Sequence, residues 1–252
     1  MVHRDSLPRM TTKAAVILAA GVGSRLRPLT DDRPKALVSI GAETILERAV
    51  RLLAEHGVER LVIASGYRED AIVRALGNCP LEVRYCHNPE FDRTQNSVSL
   101  ALCRKELEGV SFFKLDGDVV FLPAVLARLE ASDAPLAVAM DAGRKLDAEA
   151  MKVAVHLGTI RAFGKGLSLS ESAGETIGIE RIDESASKTL FEALDRARAA
   201  GRTDLYYEDV YSELIAARAL TAAVVDVADL PWTEVDDYSD LERARSLIAT
   251  GA

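Results

Sequence analysis

Cysteine is scarce: Cys79, Cys86 and Cys103 are the three in 252 residues, and they form no CxxC pair. An odd count without metal-ligand spacing excludes a disulfide framework and a cysteine-rich zinc site. It reads as small apolar residues buried in a reducing compartment. The four histidines, His3, His56, His87 and His156, are scattered and suggest neither a His-based metal site nor a triad. Aromatics make up only 5% of the chain, so each is a landmark. No apolar run approaches the roughly 18 residues that a membrane span needs. The first twelve residues, MVHRDSLPRMTT, lack the apolar region of a signal and read as a flexible lead. The expected location is the cytoplasm. Positive charge is also in deficit, with a formal net charge of −8, which argues against a nucleic-acid or anionic-membrane partner.

What is abundant is apolar periodicity, with 48% hydrophobic against 28% charged residues, enough to bury a core. Ala14 to Ala20 is a short apolar run fit for a strand buried on both faces. Ile45, Leu46, Ala49, Leu52 and Leu53 fall at helical spacing, closed by Gly57. Leu61 to Ala64 predicts a strand and Arg68 to Leu76 a helix. Leu81, Val83 and Tyr85 alternate as a half-buried strand. A helix from Ser97 to Glu108, a strand from Val110 to Leu115, a helix from Leu122 to Ala131 and a strand from Leu136 to Met140 follow. This alternation predicts an α/β fold: a doubly wound, mostly parallel, Rossmann-like sheet, with ligands at the carboxyl ends of its strands. After Asp141 the rhythm changes. Lys152 to Leu157 and Ile160 to Phe163 flank a Gly158-Thr159 turn and suggest a small antiparallel hairpin. Strands are expected over Glu175 to Ile182, Ala222 to Val227 and Trp232 to Val235. Helices are expected over Ser185 to Ala200, Glu208 to Ala219 and Leu241 to Ile248. The reading is one domain over residues 1–252, with an inserted substrate lobe near 141–205.

Three stretches carry chemistry. The first buried strand runs straight into Gly21-Val22-Gly23-Ser24-Arg25, where glycines let backbone N–H groups close on an anion and Arg25 offers a permanent planar cation. Lys35 adds a second cation. The dinucleotide fingerprint fits poorly, since Leu26 stands at its third position and Pro28 follows, and the P-loop pattern is absent. Asp116-Gly117-Asp118 follows a strand directly; its carboxylates suit Mg²⁺ and substrate hydroxyls, and share one side if the strand continues. In Trp232-Thr233-Glu234-Val235-Asp236-Asp237, Asp237 or Ser239 is assigned to capping the last helix and Asp236 to a metal.

LAAGVGSRLRPLT, the PKAL that follows, the GD turn and the late EVDD together resemble the nucleotidyltransferases that join a nucleoside triphosphate to a phosphorylated small molecule. Asn96 to Leu100, Leu115 to Asp118, Met151-Lys152-Val153, Gly174 to Gly178, Tyr206 to Asp209 and Trp232 to Asp236 extend the resemblance toward the phosphocholine and phosphonoalcohol cytidylyltransferase group. The resemblance implies that Leu18, Ala19, Ala20 and Gly21 hold the nucleoside through their backbone. Gly23, Ser24 and Arg25 grip the β- and γ-phosphates and Lys35 the α-phosphate. Asn96 and Ser99 face the base, and Asp116 joins the nucleotide set. Asp118 and Asp236 hold Mg²⁺, with Arg25, Lys35 and Asp118 as the catalytic set. Lys152, Glu175, Tyr207 and Glu208 line the acceptor side. The implied partners are CTP or another nucleoside triphosphate and a small phosphorylated or phosphonate acceptor; a homodimer stays open.

Such a reaction joins two anions and needs positioning and charge neutralisation rather than a covalent intermediate. The acceptor is already ionised at neutral pH, so the lack of a well-placed histidine fits. The late aromatics Tyr206, Tyr207, Tyr211, Trp232 and Tyr238 lie beside Glu208, Asp209 and Glu234, a cage for choline, ethanolamine or aminoethylphosphonate. Two other readings stand beside this one: a sugar-1-phosphate or inositol-phosphate nucleotidyltransferase using CTP, UTP, dTTP or GTP, and a non-catalytic nucleotide-binding subunit on the same fold.

Overall fold

The computed structural model describes residues 11–249. The N-terminal lead expected over residues 1–12 lies outside the described residues except for its last two. Of these, Thr12 is buried and its hydroxyl donates to Glu130 Oε1 at 3.2 Å.

The doubly wound α/β sheet is present. Its first four main strands are β1 (Ala14–Ala19), β2 (Arg60–Ser65), β3 (Glu82–His87) and β4 (Phe112–Asp116), lying side by side in the order β3-β2-β1-β4 and all parallel. In β1, Ala15, Ile17 and Ala19 enter one apolar cluster, Ala14 and Val16 the other, so both faces are covered. Helices α1 (Ile45–His56) and α2 (Glu69–Ala75) pack on the first face. The start of α1 is a capping box: Thr44 Oγ1 accepts from the Glu47 amide at 3.2 Å and Glu47 Oε2 accepts from the Thr44 amide at 2.8 Å. Gly57, at φ +97°, ends it in the left-handed conformation that glycine adopts without strain.

One helix expected over Ser97 to Glu108 is two, α3 (Asn96–Ala101) and α4 (Arg104–Leu107). At the junction the Cys103 amide turns to Leu100 O at 2.9 Å, a tighter i→i−3 bond that breaks the regular ladder. A short strand that the sequence reading lacked, β5 (Val119–Val120), follows the GD turn. Next come α5 (Ala124–Glu130) and β6 (Leu136–Asp141). The expected hairpin is β7 (Lys152–His156) with β8 (Thr159–Gly164).

Residues 141–205 divide between two places. The hairpin stands at the edge of the sheet beyond β10 (Ala222–Asp226), whereas β9 (Gly174–Ile182) runs antiparallel in the middle, between β4 and β6. The second face is closed by α6 (Glu184–Ala199) and α7 (Tyr207–Ala216). Finally β11 (Thr233–Glu234) pairs antiparallel with β5, and α8 (Tyr238–Ala249) packs Leu241 and Ala244 against Leu26, Ile40 and Val120. The three cysteines are free, and Cys103 alone is fully buried. Among the described residues no helix is long and apolar enough to cross a membrane.

Candidate active site

Two cavities open along the carboxyl edge of the sheet. The smaller, about 290 Å³, is lined by Leu18, Ala19, Gly21, Gly23, Ser24, Arg25 and Lys35 from the predicted nucleotide set. Gly23 sits at φ +73°, and a Cβ there would lie 2.7 Å from Lys35 Cβ, so the loop folds directly onto the lysine stem. Ala20 turns away, its carbonyl accepting from the Tyr67 amide at 3.1 Å. Gly117 presses against the end of β1; a Cβ there would meet Leu18 O at 2.5 Å.

Pairing of β5 with β11 brings together carboxylates that are far apart in sequence, and the Val235 amide donates to Asp118 O at 2.9 Å. Oxygens of Asp118, Glu234 and Asp236 lie within 4.8 Å of one another. Among the described residues these three form the one acidic, His or Cys group close enough to share an ion. Lys35 Nζ bridges Asp118 Oδ2 and Asp236 Oδ1, the latter at 2.7 Å, and Arg25 Nη2 meets Asp236 Oδ2 at 2.6 Å. Burial disfavours the charged Lys35, but the two carboxylates outweigh it and hold its ammonium above the ordinary range. Burial likewise opposes ionised Asp236, yet Lys35 and Arg25 keep it below its usual value. Glu234 keeps an exposed surface, yet partial desolvation and the neighbouring Asp118 and Asp236 push it up to about 8. Buried Asp118 Oδ1 has no hydrogen-bond partner. Three hard oxygen donors with one orphaned acceptor have the chemistry to hold a small divalent cation. Glu234 was expected beside the aromatic cage and not in the metal pair; the period-2 spacing of Glu234 and Asp236 was the available signal. Asp237 caps α8, its Oδ1 accepting from the amides of Ser239 at 2.8 Å and Asp240 at 3.0 Å.

The larger cavity, about 420 Å³, shares Arg25 and Asp236 with the first. Asn96, Asp116, Glu175 and Glu208 line it; Asn96 and Asp116, expected with the nucleotide, lie on this side with Glu175 and Glu208 and not beside the glycine loop. Asn96 Oδ1 accepts from the Tyr207 amide at 3.0 Å and so tethers the start of α7. Asp116 and Asp118 part company because the strand is interrupted at Gly117-Asp118. Three expectations are corrected. Ser99 is buried and its hydroxyl accepts from Asn88 Nδ2 at 3.0 Å, away from both cavities. Lys152 is buried with Nζ on Lys165 O at 2.7 Å. Tyr207 is wholly buried, its hydroxyl donating to Asp116 Oδ2 at 2.9 Å. In their place Arg144, Lys165, Tyr206 and Trp232 reach the cavity. The tyrosine pair is displaced by one position because α7 starts at Tyr207, which turns that ring inward and leaves Tyr206 at the rim.

Behind the cavity lies a buried polar cluster. Lys114 is fully buried; its Nζ reaches Glu180 Oε2 at 2.8 Å, Asp116 Oδ1 at 3.1 Å and Gly178 O at 3.2 Å, and sits 3.6 Å from the Tyr207 ring centroid. Burial pushes Glu180 up to about 7 and Glu208 up to about 8, with Lys114 acting against the rise in both. Buried Glu208 Oε2 has no hydrogen-bond partner.

The family described as the MobA-like NTP transferase domain matches residues 15–206. The chain is 35% identical over 249 residues to the CMP-5'-(3-aminopropyl)phosphonate synthase of Streptomyces rubellomurinus, covering 91% of this chain and 38% of that protein. It is 26% identical to the CTP:phosphoglutamine cytidylyltransferase of Campylobacter jejuni, covering 90% and 97%. The inositol-1-phosphate CTP transferase of T. maritima has the same fold, with a TM-score of 0.80, 23% identity and 96% of both chains covered. The chain spans 38% to 53% of the length of the first curated relatives it matches.

Proposed function

The chain belongs to the MobA-like NTP transferase domain family, and on that premise we propose that it transfers CMP from CTP to a small phosphate or phosphonate acceptor, releasing pyrophosphate. The observation that carries this reading is the junction of the two cavities at Arg25 and Asp236, which sets a phosphate-gripping loop beside a second, separate ligand space. The choice of CTP follows the relatives, which are named for a CMP-phosphonate product or for CTP as donor. The acceptor cavity suits a cationic head group, since Glu175 lines it together with Tyr206 and Trp232.

In this mechanism Gly23, Ser24 and Arg25 hold the β- and γ-phosphates and Lys35 the α-phosphate. An ionised acceptor oxygen attacks the α-phosphorus in line; its P–O bond forms as the bond to the pyrophosphate oxygen breaks. No proton must be removed, so no base is required. Asp118 and Asp236, with Glu234 beside them, would hold Mg²⁺, which supplies charge neutralisation at the phosphates. Lys35 and Arg25 then exchange their carboxylate partners for phosphate oxygens, charge-assisted contacts of the same kind.

A panel of nucleoside triphosphates against aminoethylphosphonate, phosphocholine, inositol 1-phosphate and glucose 1-phosphate, reading pyrophosphate release, tests this. The expected result is CTP-dependent, chelator-sensitive turnover with the aminated acceptors. Turnover confined to the inositol or sugar phosphate transfers the assignment to the alternative reading.

A further inference from the structure

Trp232 and Glu175 form two walls of the acceptor cavity, and both are placed by Asp141. The indole N–H of Trp232 donates to Asp141 Oδ2 at 2.8 Å, at the end of β6. Glu175 lies in β9, in register with Asp141 on one side and Lys152 on the other. Both Asp141 and Glu175 are buried. Between the walls lies a guanidinium. Arg144 Cζ is 4.6 Å from the Trp232 ring centroid, and Arg144 Nε is 3.1 Å from Glu175 Oε1. An aromatic face and a carboxylate closing on one cation is the arrangement that recognises an organic ammonium. Arg144 belongs to the stretch between β6 and β7, outside any strand or helix. At the start of that stretch Asp141 Oδ1 accepts from the amides of Gly143 at 2.8 Å and Arg144 at 3.1 Å. The backbone is thus pinned at Arg144 while its side chain, 38% exposed, is free to swing out.

We propose that Trp232 and Glu175 are a cation subsite of the acceptor cavity, which Arg144 fills in the free protein as a stand-in and which an ammonium-bearing acceptor takes from it. The inference rests on the acceptor reading above. It adds a selection rule. A head group must replace both the stacking on Trp232 and the ion pair to Glu175 before Arg144 is released. Hydroxyls replace neither, because they leave Glu175 buried without a counter-charge. A primary or quaternary ammonium replaces both. The device therefore discriminates by occupancy: the site rejects neutral acceptors because it is already occupied by a better ligand of its own. Aminophosphonates and phosphoesters of amino-alcohols share the recognised ammonium, and the turnover arms below separate them.

Trp232 is the single tryptophan of the chain, so its fluorescence reports the subsite alone. Tetramethylammonium and methylammonium are titrated onto the protein, with 3,3-dimethylbutanol as the neutral control. The wild type should bind the cations weakly and saturably. Arg144→Ala should bind them roughly 3- to 30-fold tighter, the range of a desolvated ring–cation contact. Arg144→Lys, which keeps a cation over the ring, should stay near wild type, and Glu175→Gln should weaken binding. In turnover, Arg144→Ala should lower KM for aminoethylphosphonate or phosphocholine without changing KM for CTP. Unchanged or weaker cation binding by a folded Arg144→Ala, checked by its thermal melt, overturns the proposal. So does a raised acceptor KM, which would make Arg144 a ligand of the acceptor's anion, and so does equal binding of the neutral alcohol. The titration needs no turnover: a wild type inactive with every acceptor sinks the cytidylyl-transfer reading, and an active one whose Arg144→Ala binds no tighter sinks this inference alone.

Discussion

Two lysine-centred clusters lie on either side of one glycine. On one side of Gly117, Asp118 turns to Lys35, which also holds Asp236; on the other, Asp116 turns to Lys114, which also holds Glu180. The chemistry is the same, an ammonium between carboxylates, but the surroundings differ. Lys35 keeps 17% of its side-chain surface open to the phosphate cavity, whereas Lys114 has none. The first cluster is open to exchange of its partners in the proposed reaction. The second is closed to it, and forms a fixed floor under the larger cavity. Burial, rather than the identity of the residues, separates an exchangeable charge site from a structural one.

Lys114→Met breaks the comparison most strongly. It leaves Glu180, Asp116 and Glu208 crowded and uncompensated, and unfolding by urea should show a loss of about 3–5 kcal/mol. Replacing Lys114 and Glu180 together by Met should recover much of that loss; a single variant as stable as wild type would show that the floor carries no charge. Lys35→Ala should behave in the opposite way. Losing a comparable transition-state contact costs about 10²–10³ in rate, while its thermal midpoint should fall less than that of Lys114→Met. Full turnover in Lys35→Ala would end its role at the α-phosphate.

The smallest effect concerns pH. Unfolded, Glu208 ionises near its ordinary 4.5; folded, it keeps its proton up to about 8. The folded state therefore binds the extra proton in between, and the stability this contributes is complete below pH 4.5 and is lost as pH rises toward 8. Glu208→Gln should remove that slope and gain on wild type by about 1–3 kcal/mol between pH 5 and 8. Parallel stability curves for the two proteins would place the titration elsewhere in the cluster.

The glycine-loop side was legible because it is nearly continuous: the end of one strand, one glycine loop and the cations Arg25 and Lys35 within eighteen residues of sequence, Leu18 to Lys35. The acceptor side was legible only in part, since its walls come from α3, β4, β9, α7, β11 and α8, and register decides which residue of each faces inward. A one-residue difference at the start of α7 exchanged Tyr207 for Tyr206. Lys152 reads as a free cation in the sequence, but two backbone carbonyls claim it. The buried floor did leave a trace. Phe112, Lys114 and Asp116 alternate on one face of β4, and Glu180 is the direct partner of Lys114 across β9. A lysine and a glutamate interrupting two apolar strands at core-facing positions mark a pair, but only once the strands are known to be neighbours.

That neighbouring has a temporal side. β9 supplies the facing edge for both β4 and β6, yet it is made after them. A nascent chain that has passed Asp141 but not Gly174 carries two strands with unpaired amides and carbonyls, aligned the same way and one strand-width apart. Such edges invite pairing with other chains. Closure between β4 and β6 therefore waits for Ile182 to leave the ribosome, and the ladder that β4 then forms with β9 is the one that seals Lys114 away from water.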